Sequence, residues 1–554
     1  MIDFGVMSIN ILPAFSIQTP PDFWLLLLPV MLYAEMHYRL KFLKGRLYKK
    51  EPEIVFDTPR RIQTENVPVV LLVKDAHWFP IILKQVTLTL SSPFDELLNV
   101  EQVFTENSVI DQQWFSRVYY LDVTPFRNCQ LRIDCRAVVE CGGRTMTIRN
   151  DNYATLSHAP FSVFVDSEPL PAKPGWLWGD LHCHSQWTSD QVEFGLPPAA
   201  LPPLASAMGL AFCSLVEHSY DLDDRPDSWT QADPQVEKWS DYLAMVQSIN
   251  ASRNDFVIIP GEEVSVDNGL GRNVHLAVLN NPEYFPGSGD GLENSIGFPC
   301  ELSYLRVLEN VSGQALVYAA HPFARAPIVQ RLLTRRGTWN RHDNSHRLNG
   351  WQILNGQPGA DFFDGRTFWI DKLLRGSHTY IYGGNDAHGN FNRFRQIRIP
   401  LLNMYEHEQQ VFGEFLTGVK ADLTSGPDGL TASLKTGPVI ISNGPFINII
   451  AKDSARRRFE TGQTLPGRPI DLEITALSTN YCGLIRHIKI FLGDLDRHRE
   501  NIFKSFEITP GVSRKIINIS IENLPVCGYF RAEIETQSAK FGLTNPIWFD
   551  GSVS

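Results

Sequence analysis

Between residues 175 and 425 short apolar runs recur, and run after run ends on a histidine or an acid. Trp176-Leu177-Trp178 leads into Gly179-Asp180-Leu181-His182-Cys183-His184. Phe212-Cys213-Ser214-Leu215-Val216 leads to Glu217-His218, and residues 256–259 lead through Pro260-Gly261 to Glu262-Glu263. His275 lies inside the run 273–279, residues 315–320 lead to His321-Pro322, and residues 379–382 lead through Gly383-Gly384-Asn385 to Asp386-Ala387-His388. Segments of helical spacing separate several of these runs, such as 202–208, 236–249, 302–311 and 368–374. A strand–helix rhythm of this kind builds parallel sheets or barrels, whose functional groups gather at the C-terminal ends of the strands.

Side chains alternate faces along a strand, so His182 and His184 point the same way and Cys183 points to the other side. Two imidazoles on one strand end form half of a transition-metal site. Alone, that spacing is equally compatible with a solvated strand face. The placement of the other ligand-type residues is what favours metal. Six of the 15 histidines (His182, His184, His218, His275, His321 and His388) fall in strands or strand ends of this one region. Histidines such as His37, His77 and His487 lie elsewhere and read as ordinary. Imidazole and carboxylate donors without thiolate suit zinc, manganese or iron.

A chain of 554 residues is too long for one core, since single cores stop growing at about 250–300 residues, and about three domains are expected. Residues 1–52 read as an N-terminal arm. Its apolar run, residues 23–34, is broken by Pro29 and is shorter than the roughly 17–25 residues needed to span a bilayer. Arg39, Lys41, Lys44, Arg46, Lys49 and Lys50 follow it, so an attachment at an anionic membrane surface is the most the arm would provide. Residues 53–169 hold short strand-like runs with turn residues between them and little helix, the pattern of a β-sandwich. Pro169, Pro171 and Pro174 mark a linker to a unit at 175–437, and short strands return over 438–554 as a second sandwich. The net charge of −11 argues against a general nucleic-acid binder, because phosphate binding needs a basic surface. Eight cysteines without a Cys-x-x-Cys pair read as reduced thiols in a cytoplasmic protein.

The ordered set Gly179-Asp180-Leu181-His182-x-His184 with Ser189-Asp190, Val216-Glu217-His218, Pro260-Gly261-Glu262-Glu263, His275, Ala320-His321-Pro322 and Gly384-Asn385-Asp386-Ala387-His388 resembles the motifs of the PHP (polymerase and histidinol phosphatase) superfamily of metal-dependent hydrolases. Residues 435–445 are similar to a closing segment of its carbaryl-hydrolase-type (CehA/McbA-like) branch. The resemblance implies a distorted (β/α)7 barrel, here flanked by the N-terminal and C-terminal β-sandwiches, holding two or three divalent metal ions. It implies that His182, His184, Glu263 and Asp386 hold a first ion. Glu263 would bridge to a second, held also by His275 and His321, and Asp190, His218 and His388 would hold a third. Departures are an extra residue between His184 and Asp190, Glu217 where Asp is usual, Asn385 where a small residue is common, and Gln352 where an acid is frequent.

Glu263, Asp386 and His218 are the catalytic candidates on this reading. Arg325 and Arg393 are candidates for binding a small anionic substrate, weighed equally against surface ion pairs. The expected activity is that of a phosphoesterase using a water between two metals as nucleophile. The alternatives are hydrolysis of carbamate, carboxylic ester or amide bonds, and a non-catalytic metal-containing binding module.

Overall fold

The computed structural model describes residues 51–552 apart from segments 95–97, 154–155, 189–194, 226–227, 288–299, 327, 329–330, 332–333, 342–346, 357 and 399–402. The arm expected at 1–52, with its apolar run, thus falls almost wholly outside the described residues.

The middle of the chain forms one curved sheet. Its strands are β1 (Trp176–His184), β2 (Phe212–His218), β3 (Val257–Asp267), β4 (Asn273–Leu279), β5 (Leu316–Ala319), β6 (Gly350–Asn355), β7 (Tyr380–Gly384), β8 (Leu416–Lys420) and β9 (Val439–Ser442). The neighbours run β7-β6-β5-β4-β3-β2-β1-β8-β9. Most of these strands are buried along nearly their whole length, which explains why they read as continuous apolar runs rather than alternating ones. Helices α1 (Leu201–Met208), α2 (Ser219–Leu222), α3 (Glu237–Ala251), α4 (Tyr304–Asn310), α5 (Ala360–Leu374) and α6 (Gly426–Thr436) fill several of the connections. Gly209 takes the left-handed conformation after α1 (φ 92°), a helix stop that glycine alone adopts without strain. The curvature brings Leu181, Val216, Ile259, Ala277, Tyr318 and Tyr382 into one apolar cluster, and the Tyr318 hydroxyl donates to the Leu181 carbonyl across it.

The expected (β/α)7 barrel with separate flanking sandwiches is corrected by this topology. Strand outweighs helix, 47% to 16%. β4 runs antiparallel to both of its neighbours, and the sheet continues through β9 into the C-terminal strands, 16 strands in all. The physical reason lies in the turn after β3. Gly269 and Gly271 adopt positive φ (81° and 71°), so the chain doubles straight back into an antiparallel hairpin. β9 then pairs with Leu416–Lys420 on one side and with Phe541–Thr544 on the other.

At the N-terminal end, a three-stranded sheet (Glu53–Asp57, Asn66–Lys74, Trp114–Asp122) and a six-stranded sheet built on Ile81–Ser91 and Cys129–Cys141 share one core. Cys135 is buried in that core, and Cys129 and Cys141 pack partly against it. At the other end, a four-stranded sheet around Phe446–Lys452 and Asp471–Leu477 packs on Ile485–Asp494 and Cys527–Thr536 of the large sheet. All eight cysteines are free thiols. Among the described residues no helix is long and apolar enough to cross a membrane.

One contact ties the N-terminal sheets to the middle of the chain. The buried Asp57 carboxylate accepts from the Phe391 and Asn392 amides (3.0 and 3.1 Å), three and four residues past His388. Burial pushes this carboxyl upward in pKa, against the pull of Arg395. Removing the carboxylate leaves buried amides without acceptors, at about 1–3 kcal/mol per group. Asp57→Ala is therefore expected to lower stability by about 3 kcal/mol in denaturant unfolding; a loss below about 1 kcal/mol would show that the contact is dispensable.

Candidate metal centre

Strand register assembles the site. The parallel β2–β3 pair sets His218 opposite Glu263. β1 pairs with Ala387–His388, which sets His184 beside His388. The β3–β4 hairpin sets His275 opposite Ser265, two residues from Glu263. The Ala320 amide donates to the His275 carbonyl (3.1 Å), which brings His321 alongside. The Asn385 and Asp386 amides donate to the His182 carbonyl (3.2 and 2.8 Å), which brings Asp386 to the end of β1. Asp386 (φ 54°) and His321 (φ 27°) both occupy left-handed backbone conformations. Such residues cost about 1–3 kcal/mol, persist only where the surroundings enforce them, and concentrate at functional sites.

Four atoms enclose one position: His182 Nε2, His184 Nε2, Glu263 Oε2 and Asp386 Oδ1. His182 and His184 are 3.2 Å apart, His184 and Asp386 3.0 Å, and His182 and Asp386 3.6 Å. Glu263 Oε2 lies 3.5 Å from His182 and 3.6 Å from His184. Donors at about 2.0–2.2 Å from a tetrahedral ion stand about 3.3–3.6 Å from one another, and these five separations, from 3.0 to 3.6 Å, are close to that range. Glu263 Oε2 is buried and makes no hydrogen bond, although three imidazole nitrogens stand 3.3–3.6 Å away. An orphaned carboxylate oxygen is costly, and a divalent cation at that position would satisfy it.

The other carboxylate oxygen marks a second position. Glu263 Oε1 lies 2.5 Å from His275 Nδ1 and 2.8 Å from His321 Nε2. A third group comprises His184, His218 and His388, with the His184 and His388 rings stacked at 4.2 Å. Asp190, expected as a ligand beside His218 and His388, lies outside the described residues.

The groups around these donors fix their orientation. Gln352 Oε1 accepts from His182 Nδ1 (2.7 Å), while Gln352 Nε2 donates to Asn355. That tautomer turns the His182 Nε2 lone pair toward Glu263 and Asp386. Asp180 accepts from the His182 and Asn385 amides and from the Asn385 side chain, and burial pushes its carboxyl up to about 6. Glu217 binds the Ser185 and Thr188 hydroxyls at 2.6 Å each and so shapes the turn after β1. Glu262 faces away from the histidines, taking Ser219 Oγ and the Phe285 amide; burial raises its pKa well above the carboxylate range. Burial also acts against the charge on Glu263, but His275 and His182 outweigh it and hold Glu263 well below that range. The same opposition holds Asp386 down through His182 and His184. Burial disfavours a charged His182, yet Glu263 and Asp386 together lift it to about 9. His184 drops to about 3 through burial and the neighbouring His388 and His218.

For Arg325 and Arg393 the structure shows ion pairs, the reading weighed equally against substrate binding. Arg325 is 78% exposed and faces Asp364 at 3.9 Å. Arg393 pairs with Glu406 at 3.5 Å and donates to the Ala159 and Pro160 carbonyls against the N-terminal sheets. Further residues touch the cluster, Tyr220 and Arg336 among them. The Tyr220 hydroxyl is 2.8 Å from His218 Nδ1, and Arg336 Nη2 is 2.9 Å from His275 Nδ1. Tyr220 stands two residues past His218, a proximity visible in the sequence. Arg336 reaches the site through a bridge to Asn273, a long-range pairing with no local signature.

No protein-family model matches the chain, and no curated protein matches it. Solved structures with partial similarity include β-glucuronidase 2 of Bacteroides uniformis, at 10% identity and a TM-score of 0.17 over 90% of this chain and 61% of that one. A β-glucuronidase of Parabacteroides merdae shows 8% identity and a TM-score of 0.17 over 90% and 64%. β-Glucuronidase 3 of Bacteroides uniformis shows 8% and 0.19 over 90% and 63%. The chain thus spans about three fifths of the length of these structures. Overlaps at such TM-scores do not amount to a common fold, and no activity is transferred from them. The expected phosphoesterase activity, with its carbamate, ester and amide alternative, finds no support in these comparisons and is not carried forward.

Two variants test the donor set. Glu263→Gln removes the charge shared by two positions and is expected to strip most bound divalent metal, measured by elemental analysis after desalting. Glu262→Gln replaces a carboxyl that faces away and keeps the parent's metal content; the opposite ranking would show that the donor is Glu262. Gln352→Leu frees the His182 ring, with an expected loss in metal affinity of about tenfold or more; unchanged affinity would show that Gln352 does not hold the tautomer.

Proposed function

We propose that the cluster is a divalent-metal centre and that the chain is a metal-dependent hydrolase. The observation that carries the reading is the convergence of His182, His184, Glu263 and Asp386 on one position, together with a buried Glu263 carboxylate oxygen that makes no hydrogen bond. The resemblance of the ordered motifs to those of the PHP superfamily supports it, since the same residues converge in space. An ion of the zinc, manganese or iron class bound there would lower the pKa of water enough for hydroxide to exist near neutral pH.

The chain's own residues supply the rest. Glu263 presents one oxygen to each of two positions and so fixes their separation. Asp386 and His321, on enforced backbone conformations, close the site from the far end of the sheet. Gln352 keeps the His182 Nε2 lone pair directed inward. His218 Nε2, 3.3 Å from Glu263 Oε2, borders the same volume, with Nδ1 held by Tyr220. From there it can accept or return a proton during hydrolysis.

Purified protein screened on a broad panel of chromogenic hydrolase substrates is expected to turn over at least one of them. Activity should be lost on chelation and restored by manganese, zinc or ferrous iron. Turnover that survives complete metal removal would refute the reading, as would less than one ion per chain after reconstitution.

A further inference from the structure

The second position carries a feature that a plain metal site would not. Arg336 is pinned beside β4: Asn273 and Arg336 form a parallel bridge, the Asn273 amide donates to the Arg335 carbonyl (3.2 Å), and the Gly337 amide donates to the Asn273 carbonyl (2.9 Å). Trp339 Nε1 adds a bond to the His275 carbonyl (3.3 Å). Held in this way, Arg336 Nη2 stands 2.9 Å from His275 Nδ1 and 3.5 Å from His321 Nδ1.

His275 Nδ1 also lies 2.5 Å from Glu263 Oε1. A ring nitrogen offers either one N–H or one lone pair. An N–H directed at Glu263 leaves the guanidinium facing a donor, and a lone pair directed at Arg336 leaves the carboxylate facing a lone pair. One atom is thus claimed by two groups with opposite requirements. A divalent cation could take both the lone pair and the carboxylate oxygen, but it would have to displace the guanidinium. Arginine does not deprotonate in proteins, so its charge opposes that cation at any working pH.

We propose that Arg336 is a built-in competitor for the second cation position formed by Glu263 Oε1, His275 Nδ1 and His321 Nε2. Divalent ions then load in two unequal steps. The first fills the position of His182, His184, Glu263 and Asp386, and the second binds more weakly because it must push Arg336 aside. The inference rests on the metal-centre reading above.

The test uses the full chain, stripped by chelator and titrated with Mn²⁺ alone by calorimetry, with stoichiometry checked by elemental analysis. The parent is expected to show two binding events, the second at least about tenfold weaker than the first. Arg336→Met removes the charge and should tighten the second event by about tenfold or more, leaving the first within about twofold. Arg336→Lys is shorter and lacks the fork, so it should tighten the second event by a smaller factor, and it decides the question if the Met variant does not fold. Two equal events in the parent would overturn the proposal, as would a second event unchanged in both variants. A normal first event with an unaltered second sinks this inference alone. A parent that binds no Mn²⁺ sinks the metal-centre reading and this inference with it.

Discussion

The charge of Glu263 organises the middle of this molecule. It is a buried carboxylate within the central strand β3, and a buried charge is tolerated only when it is paired. Five imidazoles, those of His182, His184, His218, His275 and His321, lie within 3.6 Å of its two oxygens. Each arrives on a different segment, or on a strand whose register is set by a neighbour. The position of Glu263 therefore depends on the parallel pairing of β2 with β3 and on the hairpin that follows. A slip of β3 by one residue would put Glu262 or Val264 in the place of Glu263, depending on its direction.

Much of the site could be read from the chain itself. His182 and His184 share a face because of strand alternation, and the delivery of His218, His321, Asp386 and His388 from apolar runs marked strand ends, whereas Glu263 lies within β3. Glu262 and Glu263 separated onto opposite faces for the same reason. What escaped were features set by contacts distant in sequence. Arg325 and Arg393 were chosen by nearness to His321 and His388 along the chain, yet each side chain found an acid elsewhere. Arg336 reached the cluster because residue 336 pairs with residue 273, and no local periodicity encodes that pairing.

The architecture could be read only in part. The two β-rich ends and the mixed middle follow from turn spacing and from strand–helix rhythm. The strand–helix rhythm does not hold at β3–β4, where a turn with Gly269 and Gly271 returns the chain without a helix. A single reversal of this kind makes the sheet mixed. The sequence also carries no mark of how far a sheet extends, since edge and central strands differ in their neighbours and not in their composition.

The continuity of the large sheet through β9 has a consequence for how the chain can be divided. Residue 438, where composition changes, lies one residue before a strand that is hydrogen-bonded on both sides. A chain ended there would expose the ladder of Leu416–Lys420 as an open edge, with unpaired amides and carbonyls ready to recruit a strand from another molecule. The site-bearing middle and the C-terminal strands therefore form one inheritable unit. Recombination or proteolysis that separates them would yield a self-associating fragment, not a smaller soluble module.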